Sequence, residues 1–119
     1  MKIAVTSKGT DLDSPVDPRF GRAAYILVVD TETLDHEVLD NKENANALKG
    51  AGIQAASMVS EKGAEALLTG YCGPKAFMVL DAAKINVVND VEGTVRDAVA
   101  AFNKGELSFA DGANVEGHW

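Results

Sequence analysis

The alternation of helical stretches with short apolar runs after residue 46 limits this chain's fold more than any other feature. Within 47–62, Gly52, Ala55, Ala56 and Val59 recur at the i, i+3, i+4, i+7 spacing of a helix face, and Gly63 supplies a stop. Glu65-Ala66-Leu67-Leu68-Thr69 then reads as a strand, and Gly70-Tyr71-Cys72-Gly73 as a tight connector. Pro74 stands where a first helical residue is expected, and Ala76, Val79, Leu80 and Ala83 share one face of a second helix. Ile85-Asn86-Val87-Val88 is a further strand. A third helix has Val95, Ala98, Val99 and Phe102 in phase, Thr94 and Asp97 as a capping box and Lys104-Gly105 as its end. Strand–helix–strand units return their strands parallel, through right-handed crossovers.

The first part of the chain reads differently. Lys2-Ile3-Ala4-Val5-Thr6 is a short buried strand, and Tyr25-Ile26-Leu27-Val28-Val29-Asp30 is apolar enough to be central. Thr31-Glu32-Thr33 turns the chain into a strand over 34–39, whose Asp35, His36 and Glu37 suit a sheet edge. The order is βββαβαβα, an α/β domain opening with a meander. The first and third strands then run with the last two, so their carboxyl ends share one rim. On that rim fall the connections 7–22, 40–50, 70–73 and 89–93, where open α/β sheets bind ligands. A single domain is expected over 1–105, with a mobile tail over 106–119 that shows no periodicity.

The connection 7–22 has no convincing period, and loops of this length inside a small domain are commonly functional. It ends in Asp17-Pro18-Arg19-Phe20-Gly21-Arg22. The two arginines offer planar forks of permanent positive charge, the glycine allows close backbone approach, and Pro15 and Pro18 stiffen the path. A surface loop with two solvated arginines is the plain alternative. The helices expected at the rim each follow a glycine, at Gly50-Ala51-Gly52, Gly73-Pro74 and Gly93-Thr94. Helix starts present amide donors and partial positive charge to anions. Lys75 and Arg96, in first turns where acids are usual, extend the pattern, although each alone also reads as a solvated surface residue. The pattern points to an anion site built from amides and bases.

Composition sets limits on the alternatives. Eleven basic against eighteen acidic residues give a net charge of −7, which disfavours nucleic-acid and anionic-membrane binding. An anion must therefore be held by local arrangement. No apolar run approaches a membrane span and no leader is evident, so a cytoplasmic protein is expected. The lone cysteine, Cys72, excludes an internal disulfide and a four-cysteine metal site. At a helix start Cys72 has either a lowered thiol pKa, as metal ligand or nucleophile, or the role of a small residue filling a turn. His118 is either a metal ligand folded over the rim or part of a frayed end. No phosphate-binding glycine fingerprint or serine elbow is present.

The string Asp17–Ala23 followed by an apolar strand resembles the dinitrogenase iron–molybdenum cofactor biosynthesis family. That family includes NifX-like carriers and the carboxyl-terminal domain of NifB-like proteins. Gly50-Ala51-Gly52-Ile53-Gln54-Ala55-Ala56, Glu61-Lys62-Gly63, Thr69-Gly70, Gly73-Pro74-Lys75-Ala76-Phe77, Gly93-Thr94-Val95-Arg96 and Asn114-Val115-Glu116-Gly117-His118 extend the resemblance over nearly the whole chain. Among stand-alone members the chain looks most like the small orange proteins, which hold a sulfide-bridged molybdenum–copper cluster. The resemblance implies a ribonuclease-H-like three-layer fold, a mixed five-stranded sheet with strand two antiparallel.

It also implies a non-catalytic role: binding or carrying an anionic molybdenum-containing metal–sulfur cluster, of molybdenum–copper sulfide type or of iron–molybdenum type. Such a cluster is a bulky, polarizable anion whose metals are already saturated by sulfide. It needs amide donors, cations and some apolar contact. Arg19, Arg22, Lys75, Arg96 and the surroundings of Gly73 would supply the first two, with Phe20, Tyr71 and Phe77 the third. Gly21, Cys72, Pro74 and Thr94 complete the expected site, with Cys72 and His118 as candidate metal ligands. The family motif does not depend on a cysteine at the position of Cys72. Expected partners are the cluster itself and a partner ATPase or cluster-assembly protein, with the chain a monomer or weak dimer. A rim that serves only as a regulatory or protein-interaction module is the main alternative. A magnesium-dependent nuclease is disfavoured, because 2–6 carries no acid and Asp30 stands at the wrong end of its strand.

Overall fold

The computed structural model describes residues 1–114 and forms a five-stranded sheet with helices on both faces. β1 (Lys2–Ser7) is central. It pairs antiparallel with β2 (Tyr25–Asp30) and parallel with β4 (Ala66–Leu68). β3 (His36–Asp40) pairs antiparallel with β2, and β5 (Asn86–Val88) parallel with β4, giving the order β3-β2-β1-β4-β5. Only β2 opposes the rest, which is the mixed α/β sheet expected from the element order.

The period-2 alternation of β1 divides the core in two. Ile3 and Val5 join Leu27, Val29, Leu68 and Val88 on one face, covered by Val95, Ala98 and Val99 of α4 (Val95–Asn103) and by Leu12 and Val16 of the long connection. Ala4 joins Ile26, Val28, Leu67 and Val87 on the other. That face is covered by Ala55, Ala56 and Val59 of α2 (Ala51–Glu61) and by Ala76 and Leu80 of α3 (Pro74–Ala82). Each large apolar side chain removed from water in this way contributes about 1.5–3 kcal/mol. The small residues matter for distance: a Cβ on Gly52 would lie 3.1 Å from that of Ala76, so the starts of α2 and α3 nearly touch.

Pro74 and Thr94 mark their helix starts as expected, and Thr94 with Asp97 forms a full capping box. The helix expected over 47–62 begins instead at Ala51, because Gly50 takes a left-handed φ of 78° that ends any helical run through it. Ahead of it lies a separate four-residue helix, α1 (Lys42–Ala45), with no buried residue. The strand expected from 34 begins at His36, since Leu34 is itself left-handed (φ 66°). Over 106–114, the described part of the segment expected to be mobile, Ala110 N–H bonds the Val87 carbonyl and Asn114 bonds the 70–72 connector. None of the described helices is long and apolar enough to cross a membrane.

Candidate functional site

The connection after β1 is a strap laid across the carboxyl edge of the sheet. It first doubles back on β1, with Lys8 N–H bonded to the Pro15 carbonyl and Asp17 N–H to that of Thr6. The buried Thr6 hydroxyl donates to the Asp17 carbonyl at 2.6 Å and lies 2.9 Å from the Thr69 hydroxyl. On one side Val16 N–H reaches the Gly93 carbonyl, ahead of α4. On the other, Tyr71 N–H donates to the Pro18 carbonyl and Phe20 N–H to the Tyr71 carbonyl, a parallel bridge between Arg19 and Tyr71. Gly70 permits this approach, because a Cβ there would fall 2.7 Å from Pro18. Gly21 does the same at the far end: its φ is 96°, and a Cβ would meet Gly52 backbone atoms at 2.8 Å. The four connections expected to share a rim are therefore joined there.

The three helix starts at this rim are not equivalent. That of α4 is closed by its surroundings. Val95 N–H donates to the Ser14 carbonyl, Arg96 N–H to that of Leu12, and Asp97 N–H to the Thr94 hydroxyl. The Arg96 side chain pairs with Asp13 at 2.9 Å. Thr94 and Arg96, expected in an anion site, thus hold α4 to the strap, because its first-turn donors found partners within the chain. The starts of α2 and α3 carry no side-chain cap among the described residues; Gln54 N–H to Gly50 and Phe77 N–H to Gly73 are their first intrahelical bonds. The two helices approach closely near these starts, at Gly52 and Ala76.

Around these two starts the expected residues divide. Arg19 is half-exposed and only loosely paired with the buried Asp17, at 3.8 Å. Tyr71 is 39% exposed, Pro74 and Lys75 are exposed, and Gly73 precedes them at the start of α3. Phe20, expected as an apolar ligand contact, is instead 6% exposed within the core beneath α2 and α3. The strap is a roof, and an apolar side chain pointing down from it is worth more buried than presented to a ligand. Arg22 donates from Nη1 to the Ala45 and Ala47 carbonyls, both at 2.7 Å. Phe77 packs half-buried against the core.

Cys72 is fully buried, and burial pushes its thiol up to about 12, not down. The field of a helix start is outweighed there by removal from water, which penalises the thiolate. The Cys72 thiol lies 3.7 Å from the Gly73 carbonyl, while its N–H bonds the Asn114 side chain at 2.8 Å. His118 lies outside the described residues.

Two functional-looking residues escaped the sequence reading. Asn41 is fully buried, and its amide nitrogen donates to Ala23 at 2.8 Å and contacts the Gly21 carbonyl at 3.4 Å. Asn114 accepts from Cys72 N–H and donates to Gly70, pairing with the connector as a peptide group would. A polar residue after a strand carries no pattern that would have found Asn41; Asn114 opens one of the strings that carry the family resemblance, which gave it no role.

The opposite end of the sheet carries a hollow of its own. Asp30, Asp35, His36 and Glu37 line a hollow of about 220 Å³ with Lys2 and Val28. The Asp30 carboxyl is held below its usual range by the backbone N–H of Glu32 and then that of Thr33. Among the described residues no group of three or more His, Cys, Asp or Glu is placed to hold a metal ion. The donors at the rim are amides, a guanidinium, an ammonium and an aromatic face. That set suits an anion bound through its outer atoms, and a sulfide-saturated cluster is such an anion.

The family model described as dinitrogenase iron–molybdenum cofactor matches residues 1–105, and the chain belongs to that family. The apo form of the orange protein from Desulfovibrio gigas is 50% identical, with 96% of each chain covered and a TM-score of 0.93. A NifB-like Thermotoga protein of the DUF35 family is 37% identical over 98% of each chain, with a TM-score of 0.83. An uncharacterized protein of Methanocaldococcus jannaschii is 27% identical over 110 residues, covering 90% of this chain and 89% of its own. The chain therefore shares its fold with the orange protein and with the NifB-like Thermotoga protein, and a cluster-binding or cofactor-related role goes with the family.

Proposed function

We propose that this protein binds and carries an anionic molybdenum-containing metal–sulfur cluster, of the molybdenum–copper sulfide type, without turning over a substrate. The observation that carries the reading is the pair of helix starts without a side-chain cap, α2 and α3, approaching each other at Gly52 and Ala76, with Lys75 in the first turn of α3 and Arg19 bridged to Tyr71 just before it. Cluster sulfides would accept from the amides that open α3 and α2, with Arg19 and Lys75 supplying the charge that a chain of net −7 otherwise lacks. Tyr71, beside Arg19 through their backbone bridge, and the exposed ring of Pro74 would give the polarizable sulfides apolar contact. An iron–molybdenum type cluster would meet the same donors. The 50% identity to the orange protein supports the reading independently of the geometry.

Loading and unloading in the cytoplasm would fall to a partner ATPase or a cluster-assembly protein. The test is anaerobic reconstitution with tetrathiomolybdate and copper, followed by desalting and visible absorption. A protein-bound chromophore is expected, and its absence refutes the proposal.

A further inference from the structure

The 42–50 connection has an unusual means of attachment. None of its residues is buried, α1 contributes no apolar side chain to the core, and Leu48 is wholly in solvent. With no hydrophobic anchor, such a segment stays in place through polar contacts or not at all. Its fixed point at the near end is Asn41, buried and bonded through its side chain to Ala23 and through its N–H to Ala24. Along its length, the guanidinium of Arg22 collects the Ala45 and Ala47 carbonyls onto one nitrogen at 2.7 Å each. These are charge-assisted bonds to the carbonyls left over at the end of a very short helix. Three residues past Ala47 the chain passes Gly50, turns left-handed, and opens α2.

We infer that Arg22 is a positioning residue: its guanidinium clamps the 42–50 connection to the strap and so sets the start of α2 at the rim. This rests on the reading of the rim as the cargo site, but it assigns Arg22 a role different from that of Arg19. Arg19 meets the cargo's charge; Arg22 meets backbone oxygens of its own chain. Two arginines separated by Phe20 and Gly21 thus face different tasks, because Phe20 is sunk in the core and Gly21 rests on Gly52, so the strap changes partner between them. The connection from Arg22 to α2 is mechanical, through Ala45, Ala47 and Gly50.

The test reads the connection without cargo first. In wild-type apo protein and in Arg22→Met, amide hydrogen exchange is followed over 45–54. Loss of two charge-assisted bonds is expected to lower protection about tenfold or more there, with β1 and β4 unchanged. Unchanged exchange over 45–54 overturns the inference. Retention of tetrathiomolybdate with copper is then measured for wild type, Arg22→Met and the donor-restoring Arg22→Lys across a salt series. A positioning role requires retention to follow protection in all three proteins, with the salt slope of the remaining binding unchanged. Retention that parts from protection in either direction, or a slope reduced as in Arg19→Ala, overturns it. Should wild-type protein retain nothing, the cargo proposal fails while the exchange comparison still decides the clamp.

Discussion

Gly21→Ala is the sharpest perturbation of the rim, because two separate penalties act at one atom. A Cβ at φ 96° enters a backbone region that costs an L-residue about 1–2 kcal/mol. The same Cβ would lie 2.8 Å from the Gly52 Cα and N, backbone atoms of α2 that cannot turn aside as a side chain does. Such overpacking costs about 1–3 kcal/mol. The stiffer unfolded chain returns about 0.4–1 kcal/mol. The net is a loss of about 2–4 kcal/mol, or about 8–16 °C in Tm at some 4 °C per kcal/mol for a chain of this size. Gly63→Ala separates the two penalties, since Gly63 has a φ of 73° but nothing within 4 Å of a built Cβ. It carries only the conformational part, at most about 1.6 kcal/mol, and should shift Tm by no more than about 6 °C. Thermal unfolding of both variants by circular dichroism decides the matter. Equal shifts would show that the strap does not press on α2, and the account of how the rim is assembled would fail.

Arg19→Ala and Lys75→Ala should each weaken cluster retention about tenfold or more and flatten its salt dependence, as seen by desalting at several ionic strengths; unaltered retention removes that residue from the cargo site. Cys72 should resist iodoacetamide at about pH 8 in folded protein and react in urea. Its folded-state pKa of about 12 exceeds the ordinary 9.0, so its protonated form favours folding. That contribution is full below pH about 9 and is lost as pH rises toward 12, so wild type should lose stability against Cys72→Ala over that window, read from urea midpoints. Thr94→Ala should cost about 1 kcal/mol of stability through the lost cap, with cluster retention untouched.

The layout was legible in the sequence wherever one residue decides locally. Pro74 and the Thr94–Asp97 pair name their helix starts, and the runs at 25–30 and 85–88 name strands, because capping and burial periodicity act within a turn or a pleat. The convergence of connections at one rim followed from strand direction alone. The fate of individual side chains did not. Arg22 finds carbonyls 23 and 25 residues away, and Asn114 finds the Cys72 N–H 42 residues back. Nothing about an arginine or an asparagine announces such a partner. Cys72 and Phe20 failed for a related reason: a helix start and a loop both suggest exposure, but Phe20 points inward from the strap and Cys72 lies in the same buried cluster.

The strap ties Val16 to Gly93 and Pro15 to Thr94, joining early residues to those that begin the last helix. A chain still emerging from the ribosome therefore holds only loose ends where the rim will be. Until residue 93 and the helix after it are available, the arginine loop has no second shore to span. The rim is thus assembled only once the residues around 93–95 have been made, and a fragment that stops short of them lacks one side of it.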